Sequence, residues 1–182
     1  MTETGFLLIR HAESSWNAVG RWQGHGDPPL SENGLRQARV LATELSAERI
    51  DRLVTSDLVR ARQTASVLGD ALELTLHVEP RLRELDIGDW TGLTRVEIAS
   101  RAPDVLDRFE AGDADARAGG AETRAELRRR ALAAVRDIAA SESGRRIAIV
   151  THLGVVRVLL PGCELGNAGC RMVGAGELVA PR

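Results

Sequence analysis

Short apolar runs alternate with stretches of helical periodicity along most of this chain, and this alternation constrains the fold more than any other feature. Strands are predicted at about 5–10, 52–55, 74–78 and 146–150. Helices are predicted at about 57–70, 93–101, 103–110, 122–140 and 154–160, and a further helix would be capped by Ser31 and carry the stripe Leu35, Ala38, Leu41 and Leu45. Strands that alternate with helices form a mostly parallel sheet with helices on both faces. The sequence therefore predicts an α/β fold, a three-layer αβα sandwich.

The remaining segments carry weaker signals. Residues 82–90 are predicted to be extended or irregular, and the small, polar residues 111–120 to form a surface loop. The glycine-rich tail from Gly162 is predicted to hold short extended pieces near 169–173 and 177–179. A length of 182 residues is enough for one full core, so we interpret 1–182 as a single domain.

The charged residues exclude several classes of function. All 24 basic residues are arginine, and a chain without lysine has neither the lysine of a Walker A loop nor one for Schiff-base chemistry. The net charge of −2 gives no overall basic field, so no nucleic-acid partner is expected. Anions would have to be bound by arginine, histidine and backbone N–H groups.

The chain shows no sign of a membrane, a leader or a metal site. No apolar run approaches 18 residues and the first residues are not basic, so we expect neither a membrane span nor a signal peptide, and a cytoplasmic location. Cys163 and Cys170 are too few for a disulfide framework and have no metal-ligating neighbours at zinc-site spacing. We expect free thiols and no metal.

Two predicted strands end alike. "FLLIRHAE" and "IAIVTHLG" are apolar runs that finish in His11 and His152. In open α/β sheets, ligands bind at the carboxyl ends of the strands. Either histidine alone fits a structural role, but two at equivalent positions favour a functional one. His25 and His77 have no such placement and receive no role.

An arginine that follows a third strand is expected at the same edge of the sheet, where the strands have their carboxyl ends. Arg60 follows the strand at 52–55 by about one helical turn and is expected to face the strand ends, whereas Arg62 lies on another helix face. Each pair of like charges near 4 Å repels by about 4 kcal/mol at an effective dielectric near 20. A bound dianion offsets this repulsion, because guanidinium groups match phosphate oxygens. The pattern therefore points to a phosphate pocket.

Six blocks of sequence occur in an order that resembles a known family. They are "LIRHAESSWN", "GRWQGHGDPPLSENG", "TSDLVRARQTA", "LRELDIGDWTGL", "GGAETRAELRRRA" and "VTHLGVVR". Over about residues 5–160 the chain resembles the histidine phosphatase superfamily, in the branch that holds cofactor-dependent phosphoglycerate mutases and small phosphomonoesterases. The resemblance implies a phosphoglycerate mutase-like fold.

The resemblance also implies a role for individual residues. His11 would be the nucleophile that forms a phosphohistidine, and Glu84 the proton donor to the leaving oxygen and then the base that activates water. The phosphoryl oxygens would be held by Arg10, Asn17, Arg60 and His152, with Gln23 and Leu153 beside them. Chemistry alone could not select Glu84 from 26 acidic residues, and Glu13, Asp86 and Asp89 are alternatives.

Three tryptophans and a run of three arginines also stand out in the sequence. Trp16, Trp22 and Trp90 lie within a few residues of the motifs and would either shape the pocket mouth or pack against loops. Arg128, Arg129 and Arg130 are expected to form a solvated helix face.

The chain departs from the resembled pattern in several places. Ala12 and Leu153 each follow a motif histidine where glycine is common, and Leu153 is expected to reshape one wall of the pocket. "GGAE" at 119–122 is a minor change. The segment after Arg157 is short, and Asn167 is predicted to begin the last core strand.

The resemblance leaves three functions to compare. "LRELDIGDWTGL" is more similar to phosphatase members, such as α-ribazole phosphatase-like enzymes, than to mutases, and the chain has little room for a water-excluding insertion. We therefore expect a metal-independent phosphomonoesterase that acts on a small phosphorylated metabolite without a cofactor. The alternatives are a phosphoglycerate mutase and a weakly active phosphate-binding protein. The substrate, and whether the protein is a monomer or a homodimer, stay open.

Overall fold

The computed structural model describes residues 4–179, which surround a five-stranded sheet. The strands are β1 (Gly5–Arg10), β2 (Arg52–Thr55), β3 (Leu76–Val78), β4 (Arg146–Thr151) and β5 (Cys170–Gly174), in the order β3-β2-β4-β1-β5. The first four strands are parallel, and β5 runs antiparallel to β1 at one edge. The predicted mostly parallel sheet is confirmed.

Helices connect the strands much as the periodicity predicts. They are α1 (Glu32–Leu45), α2 (Val59–Leu72), α3 (Arg95–Arg101), α4 (Pro103–Glu110), α5 (Arg124–Ser141), α6 (Leu153–Leu159) and α7 (Ala175–Val179). Short 3₁₀ turns occupy Asn17–Val19, Pro80–Leu82, Gly88–Trp90 and Ala118–Gly120. The ends of the predicted helices shift by one or two residues, and the predicted cap is confirmed, because the Ser31 hydroxyl accepts from the Gly34 N–H at 2.9 Å.

Alternate residues of the central strands enter two separate cores. Phe6 and Leu8 of β1 are buried with residues of α5 and α6 on one face of the sheet. Leu7 and Ile9 are buried with residues of α1 and α2 on the other. Because successive side chains of a strand point to opposite faces, this division makes the three layers that the sequence predicts.

Two predictions for the C-terminal segment are wrong. Residues 177–179 are helical, because the Glu177 carboxylate accepts from the Gly174 N–H at 3.0 Å while Leu178 is buried in the core. The last strand begins at Cys170, not Asn167, since Ala168 has a left-handed backbone (φ 57°) that no strand accepts. Asn167 lies instead in a loop against the end of β1.

Candidate active site

The two motif histidines lie side by side at the carboxyl edge of the sheet. His11 follows β1 and His152 follows the neighbouring β4. The His11 N–H donates to the Thr151 carbonyl at 2.9 Å, and the ring centroids are 5.1 Å apart at an interplanar angle of 58°. The parallel register therefore brings together residues that are 141 positions apart (152 − 11) in the sequence.

A cavity of about 280 Å³ opens at this edge. It is lined by seven of the predicted site residues, Arg10, His11, Asn17, Gln23, Arg60, Glu84 and Leu153. The remaining one, His152, is fully buried beside the His11 ring. The structure thus collects the predicted site residues at one place.

The surroundings of His11 fix its protonation. Burial, followed by the charge of Arg60, lowers the pKa of His11 to about 3. Its Nδ1 lies 2.7 Å from the Ala12 carbonyl, which only accepts, so Nδ1 carries the proton. At neutral pH the ring is neutral and the lone pair is on Nε2.

His152 has the same charge state as His11. Burial and then the charge of Arg60 place the pKa of His152 well below its ordinary value. The Ser56 oxygen accepts from the Leu58 N–H at 3.2 Å and lies 2.9 Å from His152 Nε2. The other ring nitrogen, Nδ1, is buried and has no hydrogen-bond partner among residues 4–179, so it is left for a ligand.

Arg60 presents a buried, unpaired charge. It is fully buried and donates through its two terminal nitrogens to the carbonyls of Gly26 (2.7 Å) and Gly24 (2.8 Å). Burial lowers its pKa to about 10, so it stays charged at pH 7. No carboxylate of residues 4–179 lies within 4 Å of it, and its Nε has no partner there. A buried charge of this kind is stabilised by a ligand anion.

Two amide side chains offer hydrogen-bond donors to the cavity. Asn17 Oδ1 accepts from the Ser14 N–H at 3.1 Å, and Gln23 Oε1 accepts from the Ser14 hydroxyl at 2.7 Å. With both oxygens engaged, the NH₂ groups of Asn17 and Gln23 are left for a ligand. Ser14, which orients both amides, was not singled out by the sequence.

Glu84 is the only carboxylate that lines the cavity among the residues described. Its two oxygens accept from the Leu85 N–H (2.8 Å) and the Gly154 N–H (3.2 Å). A Cβ at Gly154 would lie 2.1 Å from Glu84 Oε1, so a side chain there would displace the carboxylate. The three alternative carboxylates are engaged or lie elsewhere: Glu13 accepts from Ser31 and Asn33, Asp86 from the Gly88 N–H, and Asp89 lies outside the cavity.

The prediction of a solvated face is wrong for Arg130. Its guanidinium donates to the carbonyls of Arg81, Arg83 and Glu84 at 2.7–2.8 Å and pairs with Glu122 at 2.7 Å. These bonds hold the irregular segment that carries Glu84. Arg130 is oriented inward because α5 buries the adjacent positions 127, 131 and 134.

His25, which received no role from the sequence, also contacts this segment. Its Nε2 lies 2.9 Å from the Glu84 carbonyl, and its Nδ1 lies 3.7 Å from an Asp86 oxygen. The motif "GRWQGHG" contained this histidine, but only the fold shows what it faces.

Aromatic residues form one wall. Trp22 and Phe109 line the cavity, and Trp90 lies buried behind them, with ring centroids 5.7–5.8 Å apart. Trp16 does not line it. The interpretation that a tryptophan shapes the pocket therefore holds for Trp22. Trp90 serves in packing instead, because it is buried in the core.

The short segment after α6 contacts Arg10, His11 and Asn17. Arg10 Nη1 donates to the Leu165 carbonyl at 2.8 Å. The Asn167 amide donates to the His11 carbonyl and to Asn17 Oδ1, each at 3.3 Å. The segment that departs most from the resembled pattern therefore supports the two residues at the end of β1.

Residues 4–179 contain no group of three or more histidine, cysteine or acidic side chains that could hold a metal ion. Cys163 is half-buried and Cys170 exposed, and both are free thiols. In the same residues, none of the helices combines the length and the apolar character that crossing a membrane requires.

A mostly parallel sheet with two histidines and an unpaired buried arginine at its carboxyl edge defines a phosphoryl-binding α/β protein. The chain belongs to the histidine phosphatase superfamily (branch 1), whose family model matches residues 6–168.

Curated relatives include phosphatases and mutases. Phosphoserine phosphatase 1 of Hydrogenobacter thermophilus is 34% identical over 153 residues, which are 84% of this chain and 72% of the relative. A probable phosphoglycerate mutase, GpmB of Yersinia pestis, is 35% identical over 145 residues, 80% of this chain and 67% of the relative. Among solved structures, the mycobacterial glucosyl-3-phosphoglycerate phosphatase Rv2419c with VO₃ has a TM-score of 0.86 and 32% identity, covering 92% of this chain and 90% of that one.

Proposed function

We propose that this protein is a phosphomonoesterase that hydrolyses a small phosphorylated metabolite through a phosphohistidine on His11, without a metal ion. Membership of the superfamily and the phosphatases among its relatives support the reaction class. The observation that carries the proposal for the residues is the neutral His11, whose Nε2 lone pair adjoins buried and unpaired cationic groups.

His11 attacks phosphorus. Its Nδ1–H is held by the Ala12 carbonyl, so the ring is oriented and Nε2 needs no deprotonation before it forms the N–P bond. The bond from phosphorus to the leaving oxygen breaks, and the ester oxygen leaves with its electron pair. Covalent catalysis divides one difficult displacement into two easier ones.

Arg10 and Arg60 offset the charge of the phosphoryl group during the transfer, and the neutral His152 contributes a hydrogen bond. The unpartnered Nε atoms of both arginines are donors for phosphoryl oxygens, as is Nδ1 of His152 in the tautomer that carries its proton there, and the NH₂ groups of Asn17 and Gln23 add further donors. Because these groups are already fixed by protein contacts, little reorganisation is needed at the moment of reaction.

Glu84 supplies the proton transfers. It protonates the leaving oxygen in the first step and removes a proton from water in the second, in which water attacks phosphorus and releases His11. General acid–base catalysis of this kind contributes about 10²- to 10⁴-fold. The N–H groups of Leu85 and Gly154 hold the carboxylate for both steps.

The main alternative is phosphoryl transfer as in a phosphoglycerate mutase. In that reaction the phosphohistidine returns its phosphoryl group to a second hydroxyl, and water must be kept out. The relative named a probable phosphoglycerate mutase supports this alternative. Stimulation by a bisphosphoglycerate primer together with weak hydrolysis would favour the mutase. A weakly active phosphate-binding protein, the third reading, would show neither.

The test is phosphate release from p-nitrophenyl phosphate in EDTA by the wild type and His11→Ala. We expect activity that survives EDTA and disappears in the variant, whose circular dichroism stays native. Activity that EDTA abolishes, or that His11→Ala retains above a few per cent, would refute the proposal. Two predictions from the sequence stay predictions: the single domain and the cytoplasmic location. The choice between monomer and homodimer stays open.

A further inference from the structure

The cavity extends beyond the phosphate-binding residues to a second set of arginines. Arg21, Arg124 and Arg157 line it together with apolar side chains, among them Leu85 and Leu127. None of these arginines was assigned a role above. Their charges add to those of Arg10 and Arg60 in the same cavity.

Two of the three arginines are already paired within the protein. Arg157 holds the Glu164 carboxylate through two hydrogen bonds, from Nε at 2.8 Å and from Nη2 at 2.7 Å. Arg21 lies 3.8 Å from a Glu97 oxygen. Their charges are therefore offset by neighbouring carboxylates.

Arg124 differs from both, because no carboxylate of residues 4–179 lies within 4 Å of it. Its Nη1 donates to the Phe109 carbonyl at 2.7 Å, and its guanidinium carbon lies 4.0 Å from the centroid of the Phe109 ring. These contacts fix the group at the wall of the cavity but do not neutralise it. Nε and Nη2 make no hydrogen bond within the described residues.

The surroundings of Arg124 disfavour its charge. It is half-buried, and desolvation, followed by the charge of Arg157, lowers its pKa. A desolvated cation that faces a cavity without a counter-ion is stabilised when an anion enters. Arg124 thus marks a place for negative charge in the same cavity, in addition to the groups assigned to the phosphoryl oxygens.

We propose that Arg124 binds a carboxylate on the organic part of the substrate, so that this protein prefers phosphomonoesters that carry a carboxylic acid. The inference rests on the proposed function and specifies its substrate class. Nε and Nη2 form the side of the guanidinium that matches the two oxygens of a carboxylate. The same side-on pairing occurs within this protein between Arg157 and Glu164 and between Arg95 and Glu110.

Charge matching favours a carboxylate over a second phosphate. One unpaired cation balances one negative charge, whereas a phosphate dianion would leave a charge uncompensated, since Arg21 and Arg157 already have carboxylate partners. The apolar side chains that also line the cavity suit a short carbon chain that joins the two anionic groups.

The experiment compares substrates that differ only in the carboxylate. It measures kcat/KM for 3-phosphoglycerate and sn-glycerol 3-phosphate, and for phosphoserine and phosphoethanolamine, with the wild type and Arg124→Gln. We expect the wild type to prefer the acid of each pair, and Arg124→Gln to reduce that preference about tenfold or more, as expected for the loss of a charged hydrogen-bonded pair. Arg124→Lys should retain part of it.

A matched control and a binding measurement make every outcome decisive. Arg129→Gln removes an exposed arginine of the same helix and should keep the preference. Dissociation constants of the same four compounds for His11→Ala, with and without Arg124→Gln, report on the carboxylate site without turnover. An equal effect of Arg124→Gln on acid and non-acid, in turnover and in binding, would refute the assignment. Selective binding without any turnover by the wild type would refute the proposed function instead.

Discussion

Replacing Gly154 with alanine should lower the catalytic rate and leave the free energy of unfolding nearly unchanged. A Cβ at this position would lie 2.1 Å from Glu84 Oε1, well inside van der Waals contact, so the carboxylate must move by about 1 Å or more. The colliding atom is the end of a flexible side chain, and the backbone of Gly154 is not left-handed, so the fold can accept the alanine.

The magnitudes follow from this displacement. Alanine in place of glycine within α6 favours the helix by roughly 0.5–1 kcal/mol, which offsets the weakened bonds to Glu84. We therefore expect the free energy of unfolding to change by less than about 1 kcal/mol. A misplacement of about 1 Å in a reacting group costs about 100-fold in rate.

The assay is the dependence of kcat on the leaving group. Gly154→Ala should slow hydrolysis of alkyl phosphates, whose leaving oxygen needs a proton, far more than that of p-nitrophenyl phosphate. Glu84→Gln should behave in the same way, and the double variant should be little worse than Glu84→Gln alone, because both changes act on one group. Equal losses on both kinds of substrate, or additive losses in the double variant, would refute the reasoning.

Three further predictions concern the groups around the phosphoryl site. Arg60→Ala should raise the dissociation constant of inorganic phosphate at least about tenfold, measured by calorimetry, and unchanged binding would place Arg60 outside the site. Acid should destabilise the protein as the pH falls from 6.5 towards 3, because unfolded histidines bind protons in that range while buried His11 and His152 do not. For His11 the loss is about 2 kcal/mol at pH 5, which urea unfolding at pH 7 and pH 5 measures. His11→Gln should reduce the total loss by that amount, and an undiminished loss in this variant would assign it to other groups. Arg130→Gln should reproduce the leaving-group dependence of Glu84→Gln in weaker form, since its bonds hold the segment that carries Glu84, and uniform losses across leaving groups would contradict this.

The parts of the fold that follow a period could be predicted from the sequence. The strands before His11 and His152 are apolar runs, and their placement at one sheet edge follows from parallel pairing. The helix that carries Arg60 has its own apolar stripe, which sets the direction of that arginine. These local patterns sufficed to place three groups of the site together.

The irregular segments could not be predicted, because they are held by contacts from distant residues. Residues 81–84 have no period of their own, and Arg130, nearly fifty positions away, fixes them through three carbonyls. Three consecutive arginines look alike in sequence, and only the packing of α5 decides which one faces inward. For the same reason Asn167 was wrongly predicted to begin a strand: its loop is held by a hydrogen bond to the carbonyl of His11, which is distant in sequence.

The central claim is that hydrolysis proceeds in two displacements through a phosphohistidine. The most direct test is the stereochemistry at phosphorus, measured with a phosphorothioate monoester whose two non-bridging oxygens are different isotopes and which is hydrolysed in water labelled with the third stable isotope. Each in-line displacement inverts the configuration, so two displacements predict overall retention in the chiral inorganic thiophosphate. Overall inversion would show that water attacks the substrate directly, and would contradict the role proposed for His11.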